Sequence, residues 1–447
     1  MDVEPFIALN RFGLGRRAGE GVPADPRGWL LGQLAGADPG LESGAFRGLP
    51  EGAACLARIR AAQRERKRLV AANGGKPPKG YVPDFVRIFR AEARAALGHA
   101  IATPAPFRER LVWFWANHFT VSTRQGGTIG MVGAYLREAI RPHVTGRFED
   151  MLRAVMQHPG MLMYLDNAFS VGPDSRLGRR THRGLNENLA RESLELHTVS
   201  LAGGYSQADV TNYARILTGW SIAPNRPPTG FLFRPFAHEP GSQEVMGRRF
   251  APGEEGGLEM LRFLAQHPAT HQHLARQLCR HFVADDPPAG AVARIAGVLS
   301  ASGGDLGAAA RALVAMPEAW RAGTKLRRPM GYAVAALRLL DPPWLARALP
   351  FAMLGSLRLL GQPLWAAPLP NGWSDTAADW SGSGAVMRRA DWAFTLAGRV
   401  PHAEPAHLAE YALGPLLRPA TLLAVGRAGS RRDGLTLLLS APEFQRR

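Results

Sequence analysis

The chain has 447 residues, of which 46% are hydrophobic and 20% are charged, so it can bury enough apolar surface to fold and is not a disordered chain. Its net charge of +17 would suit a polyanion-binding surface. Nearly all of that charge is arginine, which we interpret as compositional bias, and we do not expect nucleic acid as a partner. The two cysteines, Cys55 and Cys279, are too few for a disulfide scaffold or a thiolate metal cluster, although one disulfide between them is possible.

No stretch reaches the roughly 18 apolar residues of a membrane span. The first residues, MDVEPFIALNRFGLGRR, lack the long apolar run and small-residue cleavage site of a signal peptide. The sequence therefore predicts a cytoplasmic protein without a membrane span.

Helical spacing of apolar residues dominates the first part of the chain. It predicts a basic helix over 54–72 and a second helix over 83–102. In the segment RLVWFWANHFTVS, Leu111, Trp115 and Phe119 are spaced by four residues and indicate a buried aromatic face. His118 lies at the edge of that face, where it is either a structural histidine or a functional one.

The stretch from Asn186 to Trp220 concentrates acids, amides, an arginine and a histidine. Asn186 is a good N-cap, and at about 100° per residue one helix face gathers Asn188, Glu192 and Glu195, with Arg191 beside them and Glu187 one step further round. His197 points to nearly the opposite side. The acidic face is either a set of solvated ion pairs or an enclosed site in which arginine holds carboxylates for acid–base chemistry or metal binding.

A second helix follows the glycine pair at 203–204. Ser206 and Asp209 have the spacing of a capping box, and an apolar stripe runs through Val210, Tyr213, Ala214 and Leu217. The two helices predict an αα-hairpin that could cover the acidic face. The Pro- and Gly-rich segment 224–247 beyond it, which contains His238, is predicted to be a structured lid loop.

The C-terminal half is predicted to form further helices, among them 289–315 and 326–349. A Pro- and Trp-rich ordered loop is predicted over 361–380. The spacing of His267, His271 and His273 could suit a metal, but the break at Pro268 and the surrounding amphipathic pattern predict surface histidines. The fold class is therefore mainly α, a multi-helix globular bundle with long Pro/Gly-rich ordered loops and little or no sheet. We expect one domain over 1–447, with subregions 1–170, 171–250 and 251–447.

Several segments carry a resemblance to a known family. RLVWFWANHFTVS, HPGMLMYLDN and the central stretch resemble the family catalogued as domain of unknown function 1800, and LNRFGLGRR, HEPGSQEVMG, LCRHFVADDPP, PNGWSD and APEFQRR extend the similarity along the chain. The resemblance implies a bacterial, mostly helical protein, often exported and often encoded beside a companion similar to alkaline phosphatases and sulfatases. The resemblance implies no particular reaction. The family's recurrent polar positions map to His118, Asn186, Glu187, Asn188, Arg191, Glu192, Glu195, His197, Asp209 and His238.

Two functional hypotheses follow. In the first, the chain is a metal-dependent or acid–base hydrolase or modifying enzyme. Its catalytic groups come from Glu187, Asn188, Arg191, Glu192, Glu195 and His118, and a divalent Zn, Mn or Fe ion would take ligands from His118, Glu192, Glu195, His197 and His238. In the second, the chain is a non-catalytic partner or maturation factor for the phosphatase- or sulfatase-like companion, which would explain export with a partner, and the polar face is a buried structural network.

Overall fold

The computed structural model describes residues 2–125, 127–223 and 229–447. Most of these residues are helical. The α-helices before the central stretch are α1 (Glu4–Ile7), α2 (Pro26–Gly32), α3 (Pro39–Glu42), α4 (Gly52–Ala72), α5 (Asp84–Ala102), α6 (Pro106–His118), α7 (Val132–Tyr135), α8 (Phe148–Gln157), α9 (Pro159–Tyr164) and α10 (Arg176–Thr181). The polar segment 170–184 contains the short helix α10, because Ser175 caps this helix by accepting a hydrogen bond from the N–H of Gly178.

The central and C-terminal α-helices continue the bundle. They are α11 (Asn188–Glu192), α12 (Gln207–Leu217), α13 (Glu254–Gln266), α14 (Pro268–Phe282), α15 (Ala289–Ala301), α16 (Leu306–Ala315), α17 (Pro329–Leu340), α18 (Leu345–Ala348), α19 (Phe351–Leu359), α20 (Ser383–Ala397), α21 (Pro405–Leu413), α22 (Pro419–Gly426), α23 (Arg431–Ser440) and α24 (Pro442–Gln445). The helix predicted over 289–315 is two helices, because Gly303 and Gly304 adopt positive φ angles and Asp305 caps α16.

Shorter helical turns link these elements. Three π-helical turns cover Ala8–Phe12, Leu136–Ile140 and Ser193–His197. The 3₁₀ turns are Arg141–His143, Asn167–Phe169, Leu201–Gly203, Pro235–Ala237, Pro317–Trp320, Ala377–Trp380 and Gly414–Leu416. The loop over 361–380 is thus ordered as predicted, ending in one of these turns.

Extended structure is confined to two antiparallel pairs in the described residues. Strands β1 (Trp220–Ala223) and β2 (Gly230–Phe233) pair with Trp220 opposite Phe233. Strands β3 (Gln243–Val245) and β4 (Arg248–Phe250) pair with Gln243 opposite Phe250. The predicted lid loop therefore contains parts of two hairpins, although residues 224–228 lie outside the described part of the chain. The mainly α fold class is confirmed.

Two hydrophobic cores hold the bundle together. The larger core is formed around buried aromatic residues such as Trp115, Phe148 and Trp220. The second core joins Leu97 on α5 to α17, α20 and α23. Trp365 packs against both cores, and α6 contributes Trp115 to the first and Trp113 to the edge of the second. The region between the cores is therefore lined by α5, α6 and α17.

The predicted division into one domain with three subregions stays a prediction. No helix in the described ranges has the length and apolar character needed to cross a membrane.

Candidate functional site

The central helix begins close to its predicted start. The N-cap of α11 is Glu187 and not the predicted Asn186, and α11 starts at Asn188. Oδ1 of Asn186, one residue before the cap, accepts a hydrogen bond from the N–H of Asn188 at 2.9 Å. From Ser193 to His197 the helix widens into a π turn. The capping box of α12 is confirmed, with Ser206 and Asp209 each bonding the other's backbone N–H. The start of α12, the second helix of the predicted αα-hairpin, is thus determined by its local sequence.

The first acidic residue of the helix belongs to a partly exposed network between α11 and α12. Nη2 of Arg191 donates to Oε2 of Glu187 at 2.9 Å, with 40% and 30% of the two side chains exposed. Glu187 also accepts from Gln207 at 2.9 Å and from Thr211 at 2.6 Å. The hydrogen bond from Thr211, followed by those from Gln207 and Arg191, lowers the pKa of Glu187. This half of the face matches the solvated ion-pair interpretation, and Asn188 beside it is exposed.

The other two acids form a separate, half-buried pair. Burial, with the nearby Glu195 carboxylate, raises the pKa of Glu192. Within the described residues, neither carboxylate accepts a hydrogen bond from a side chain. Tyr205 lies close to both, and burial together with Glu195 raises its pKa. Two neighbouring carboxyl groups, one of them with a raised pKa, are the arrangement found in acid–base pairs.

His197 lies on the opposite side of the helix, as its spacing predicts. Its side chain is fully buried, and neither ring nitrogen has a hydrogen-bond partner. Its ring centroid lies 5.0 Å from that of Phe119, and burial lowers its pKa to about 3. His197 is therefore a neutral core side chain, separated from the acidic pair by the helix itself.

Two other histidines cap the end of the π turn. Nε2 of His118 lies 3.0 Å from the carbonyl oxygen of His197, and Nε2 of His273 lies 3.0 Å from that of Leu196. Burial holds the pKa of His118 well below its usual value, so both neutral rings donate to helix carbonyls that would otherwise lack partners. The prediction that His267, His271 and His273 are all surface histidines is wrong, since His271 is buried.

His238 is held by the backbone at a different place. Its Nδ1 lies 2.8 Å from the carbonyl oxygen of Thr218, and its Nε2 accepts from the N–H of Gly253 at 2.7 Å. Both ring nitrogens are therefore occupied. No group of three or more His, Cys, Asp or Glu side chains within residues 2–125, 127–223 and 229–447 is arranged to hold a metal ion. The structure thus does not bring the predicted ligands His118, Glu192, Glu195, His197 and His238 into one ligand set.

A partly enclosed cavity between the two cores is the site that sequence reasoning missed. It lies between α5, α6, α17 and the loop 362–373, and has a volume of about 110 Å³. Most of its wall is apolar, formed by residues such as Leu97, Val112, Trp113, Leu136, Leu364 and Trp365. An engineered cavity of about 150 Å³ holds benzene, so this smaller, partly open space limits an enclosed group to a single ring or a short branched chain.

One part of the cavity wall carries charges that neutralise each other. Nη2 of Arg137 donates to Glu92 at 2.7 Å. Nη2 of Arg141 donates to Glu109 at 2.5 Å, and Nε1 of Trp113 donates to the same carboxylate at 3.0 Å. All four charged side chains line the cavity. Because each carboxylate has its own arginine, this part of the wall has little net charge.

Four other arginines line the cavity, Arg110, Arg327, Arg328 and Arg447, here called the arginine cluster. Three of them are held by backbone carbonyls. Nε of Arg110 donates to Gly13 at 2.8 Å, Nε of Arg327 donates to Phe444 at 3.0 Å, and Nη2 of Arg447 donates to His281 at 2.8 Å. The cluster thus joins residues near both ends of the sequence to α6 and to the start of α17.

A buried acid lies behind the arginine cluster. Oδ2 of Asp375 accepts from Nδ1 of His281 at 2.7 Å, and Oδ1 lies 3.6 Å from Nε of Arg328. Burial alone would raise the pKa of Asp375, but Arg328, His281 and Lys325 together hold it well below its usual value. Burial lowers the pKa of His281 to about 3. Asp375 is therefore an ionised carboxylate beside a neutral histidine and several cations.

The segments that meet here are far apart in the sequence. Asn10 and Arg11 belong to LNRFGLGRR, His281 to LCRHFVADDPP, Asp375 to PNGWSD and Arg447 to APEFQRR. Spacing arguments along one helix could not have brought them together. The available signal was that each lies in a segment that carries the family resemblance, and these segments converge on one buried cluster.

Comparison with known proteins places the whole chain in one family. The family model described as "Protein of unknown function (DUF1800)" matches residues 7–446. No curated protein and no solved structure matches the chain.

Proposed function

The chain belongs to the DUF1800 family of proteins of unknown function, and we propose that it binds a small organic molecule in the cavity between α5, α6 and α17. The observation that carries this proposal is the cavity itself, about 110 Å³ of space with apolar walls and charged groups at its edges. Ligand sites in proteins combine a concave apolar surface with a few fixed polar groups in this way. Structural packing alone would favour a filled interior, because interiors are close-packed.

The walls are positioned by rigid elements on every side. Leu97 comes from α5, Val112 and Trp113 come from α6, and Met330 comes from α17. The side chain of Asn117 fixes the loop opposite, since it accepts from the N–H of Trp373 at 2.8 Å and donates to its carbonyl at 2.9 Å. A ligand would therefore enter a space that exists before binding, and it would not have to order the loop that covers it.

Filling the cavity tests this proposal. Three ring compounds of the same shape, benzoate, benzamide and benzamidine, are titrated by calorimetry into the native chain and into Ala116→Leu, which adds bulk at the cavity wall. We expect at least one compound to bind with one-to-one stoichiometry and to lose binding in Ala116→Leu. The control is Ala61→Leu on the exposed side of α4. The proposal is overturned if none of the three binds, or if binding survives in Ala116→Leu.

A second candidate function is favoured by the acid pair. The half-buried pair of Glu192 and Glu195, with the raised pKa of Glu192, supports an acid–base enzyme. Arg191, which the sequence predicted to orient this pair, instead donates to Glu187 and Gln207. Nitrophenyl esters, phosphates, sulfates and glycosides are the substrates to screen. Loss of hydrolysis in both Glu192→Gln and Glu195→Gln, but not in Glu244→Gln on the exposed face of β3, would support this function. Absence of any hydrolysis, or equal loss in all three variants, would argue against it.

The metal-dependent form of this hypothesis makes a separate prediction. Elemental analysis would find stoichiometric Zn, Mn or Fe in the native chain and its loss in folded Glu192→Gln. The alternative of a non-catalytic partner for a phosphatase- or sulfatase-like companion rests on the family resemblance. Stable co-purification with the companion, unaffected by Glu192→Gln, is the result that would favour it.

A further inference from the structure

We infer that the ligand of the cavity is a small organic monoanion with an aromatic or short branched apolar body, bound with its charged end against the arginine cluster. This inference rests on the proposed function, and it names the ligand class of the same cavity. Its argument comes from the balance of charge at the cavity wall, the unused hydrogen-bond donors there, and the size and apolar character of the remaining space.

The charge around the cluster is unbalanced. Six cationic side chains occupy this region, namely the arginine cluster with Arg11 and Lys325 behind it. In the part of the chain that the structure describes, the side-chain carboxylates that pair with them are Asp375 and Asp285. Asp375 is shared with His281, and Asp285 is one-third exposed. The six cations therefore outnumber these two side-chain carboxylates, and burial of an unpaired charge is unfavourable.

Backbone carbonyls do not remove this imbalance. They satisfy N–H groups of Arg110, Arg327 and Arg447, which is a structural role that joins the chain ends. A carbonyl carries only a partial charge, so the net positive charge stays. The effect is visible in the pKa values, since burial and neighbouring arginines lower that of Arg327 to about 9 and that of Arg110 well below its usual value. A buried anion would supply the missing negative charge.

Donors for such an anion are present. Arg327 is 1% exposed, and its Nη1 has no hydrogen-bond partner, although the residue lines the cavity. Arg328 is held loosely, with Nη1 3.4 Å from the carbonyl oxygen of Trp373 and Nε 3.6 Å from Asp375. Guanidinium groups bind carboxylates and phosphates through paired N–H bonds. Two neighbouring arginines with unused donors are suited to one such group.

The rest of the cavity limits the body of the ligand. The volume of about 110 Å³ is too small for a nucleotide or a sugar chain, and Trp113, Trp365 and Trp373 in its wall favour an apolar or aromatic body. The part of the wall in which Glu92 pairs with Arg137 and Glu109 pairs with Arg141 is neutralised and requires no second charge. A monoanion with one charged end therefore fits better than a dianion or a zwitterion.

The three compounds of equal shape separate this inference from the proposed function. Benzoate is anionic, benzamide neutral and benzamidine cationic. By calorimetry at pH 7.5 we expect benzoate to bind at least tenfold more tightly than benzamide, and benzamidine not to bind. If benzamide binds as tightly as benzoate, or if benzamidine binds best, the cavity is a ligand site but the anion inference is overturned. If none binds, the proposed function fails.

A variant of the cluster gives an independent measurement. Arg328→Gln should weaken benzoate binding at least tenfold and leave benzamide binding unchanged, whereas Arg358→Gln, exposed on α19, should change neither. Arg328→Lys keeps the charge and should retain part of the benzoate affinity, which guards against a folding defect in the glutamine variant. Phenyl phosphate, which is largely a dianion at pH 7.5, is titrated in parallel and should bind more weakly than benzoate; tighter binding would overturn the monoanion inference. Unchanged benzoate affinity in folded Arg328→Gln would overturn the inference.

Discussion

Nδ1 of His281 donates to Oδ2 of Asp375 at 2.7 Å, and through this contact the loop 370–375 is joined to the end of α14. Asp375 also lies 3.6 Å from Arg328, and its backbone carbonyl accepts from Lys325 at 2.6 Å. One buried carboxylate thus faces two cations and a histidine. The Asp375 carboxylate is therefore an internal counterion of the arginine cluster.

Removing that charge should destabilise the fold. Asp375→Asn keeps the shape of the side chain but leaves the neighbouring cations without their carboxylate, and breaking a buried ion pair in this way typically costs about 3–5 kcal/mol. Urea unfolding followed by circular dichroism at pH 7 measures the loss. The control is Asp391→Asn, exposed on α20, which should change the free energy of unfolding by less than about 0.5 kcal/mol. A loss below about 1 kcal/mol in Asp375→Asn would mean that the cluster is neutralised by other groups.

The stability of the chain should fall steeply in mild acid. The pKa of His197 is about 3 in the folded chain because of burial, whereas an unfolded histidine titrates near 6.5. Between these pH values the unfolded chain binds a proton that the folded chain does not, so stability decreases as the pH falls through this window. The slope is about 1.4 kcal/mol per pH unit for one such histidine.

The variant that tests this is His197→Phe. It replaces a neutral buried ring that has no hydrogen-bond partner with one that cannot titrate, so the pH dependence of the free energy of unfolding between pH 6 and 4 should flatten by about 1.4 kcal/mol per pH unit. The exposed His402 provides the matched change, His402→Phe, which should leave the slope as it is. An unchanged slope in His197→Phe would show that His197 is already protonated or solvated in the folded chain.

The sequence predicted what depends on local spacing. The capping box of Ser206 and Asp209 and the buried stripe from Val210 to Leu217 follow from helical spacing, and the structure confirms them. The same spacing predicted that His197 lies on the side away from the acidic face, but not that it is buried. The capping of the π turn by His118 and His273 could not be predicted, because it depends on how α6 and α14 pack against α11. The arginine cluster could not be predicted for the same reason, since it joins residues as distant in the sequence as Arg110 and Arg447.

The two halves of the acidic face should respond differently to neutralisation. Glu187→Gln loses charge-assisted hydrogen bonds with Arg191, Gln207 and Thr211 and should lower the free energy of unfolding by roughly 0.5–1 kcal/mol, as expected for a partly exposed network. Glu192→Gln removes repulsion from Glu195 and should raise the stability slightly at pH 7. Because burial raises the pKa of Glu192 in the folded chain, the native side chain favours folding when protonated, and this advantage is lost as the pH rises.

Urea unfolding of the two variants at pH 7 and pH 5 makes the comparison. The gain in stability of Glu192→Gln over the native chain should be larger at pH 7 than at pH 5, because the raised pKa of Glu192 makes its charged form less favourable in the folded chain as the pH rises. If Glu192→Gln destabilises the chain as much as Glu187→Gln at pH 7, Glu192 has a partner that stabilises its charge, and the acid-pair interpretation loses its basis.

The cysteines should be unreactive in the folded chain. Cys55 and Cys279 are free and buried, so the disulfide that the sequence left open is not formed, and burial raises the pKa of each thiol to about 12. Because the thiolate is the reactive form, Ellman's reagent at pH 8 should find no rapidly reacting thiol in the native protein. After unfolding in guanidinium without reductant, both cysteines should react. Rapid reaction of one thiol under native conditions would show that the core around Cys55 or Cys279 opens without global unfolding, and comparing Cys55→Ala with Cys279→Ala would identify which of them is accessible.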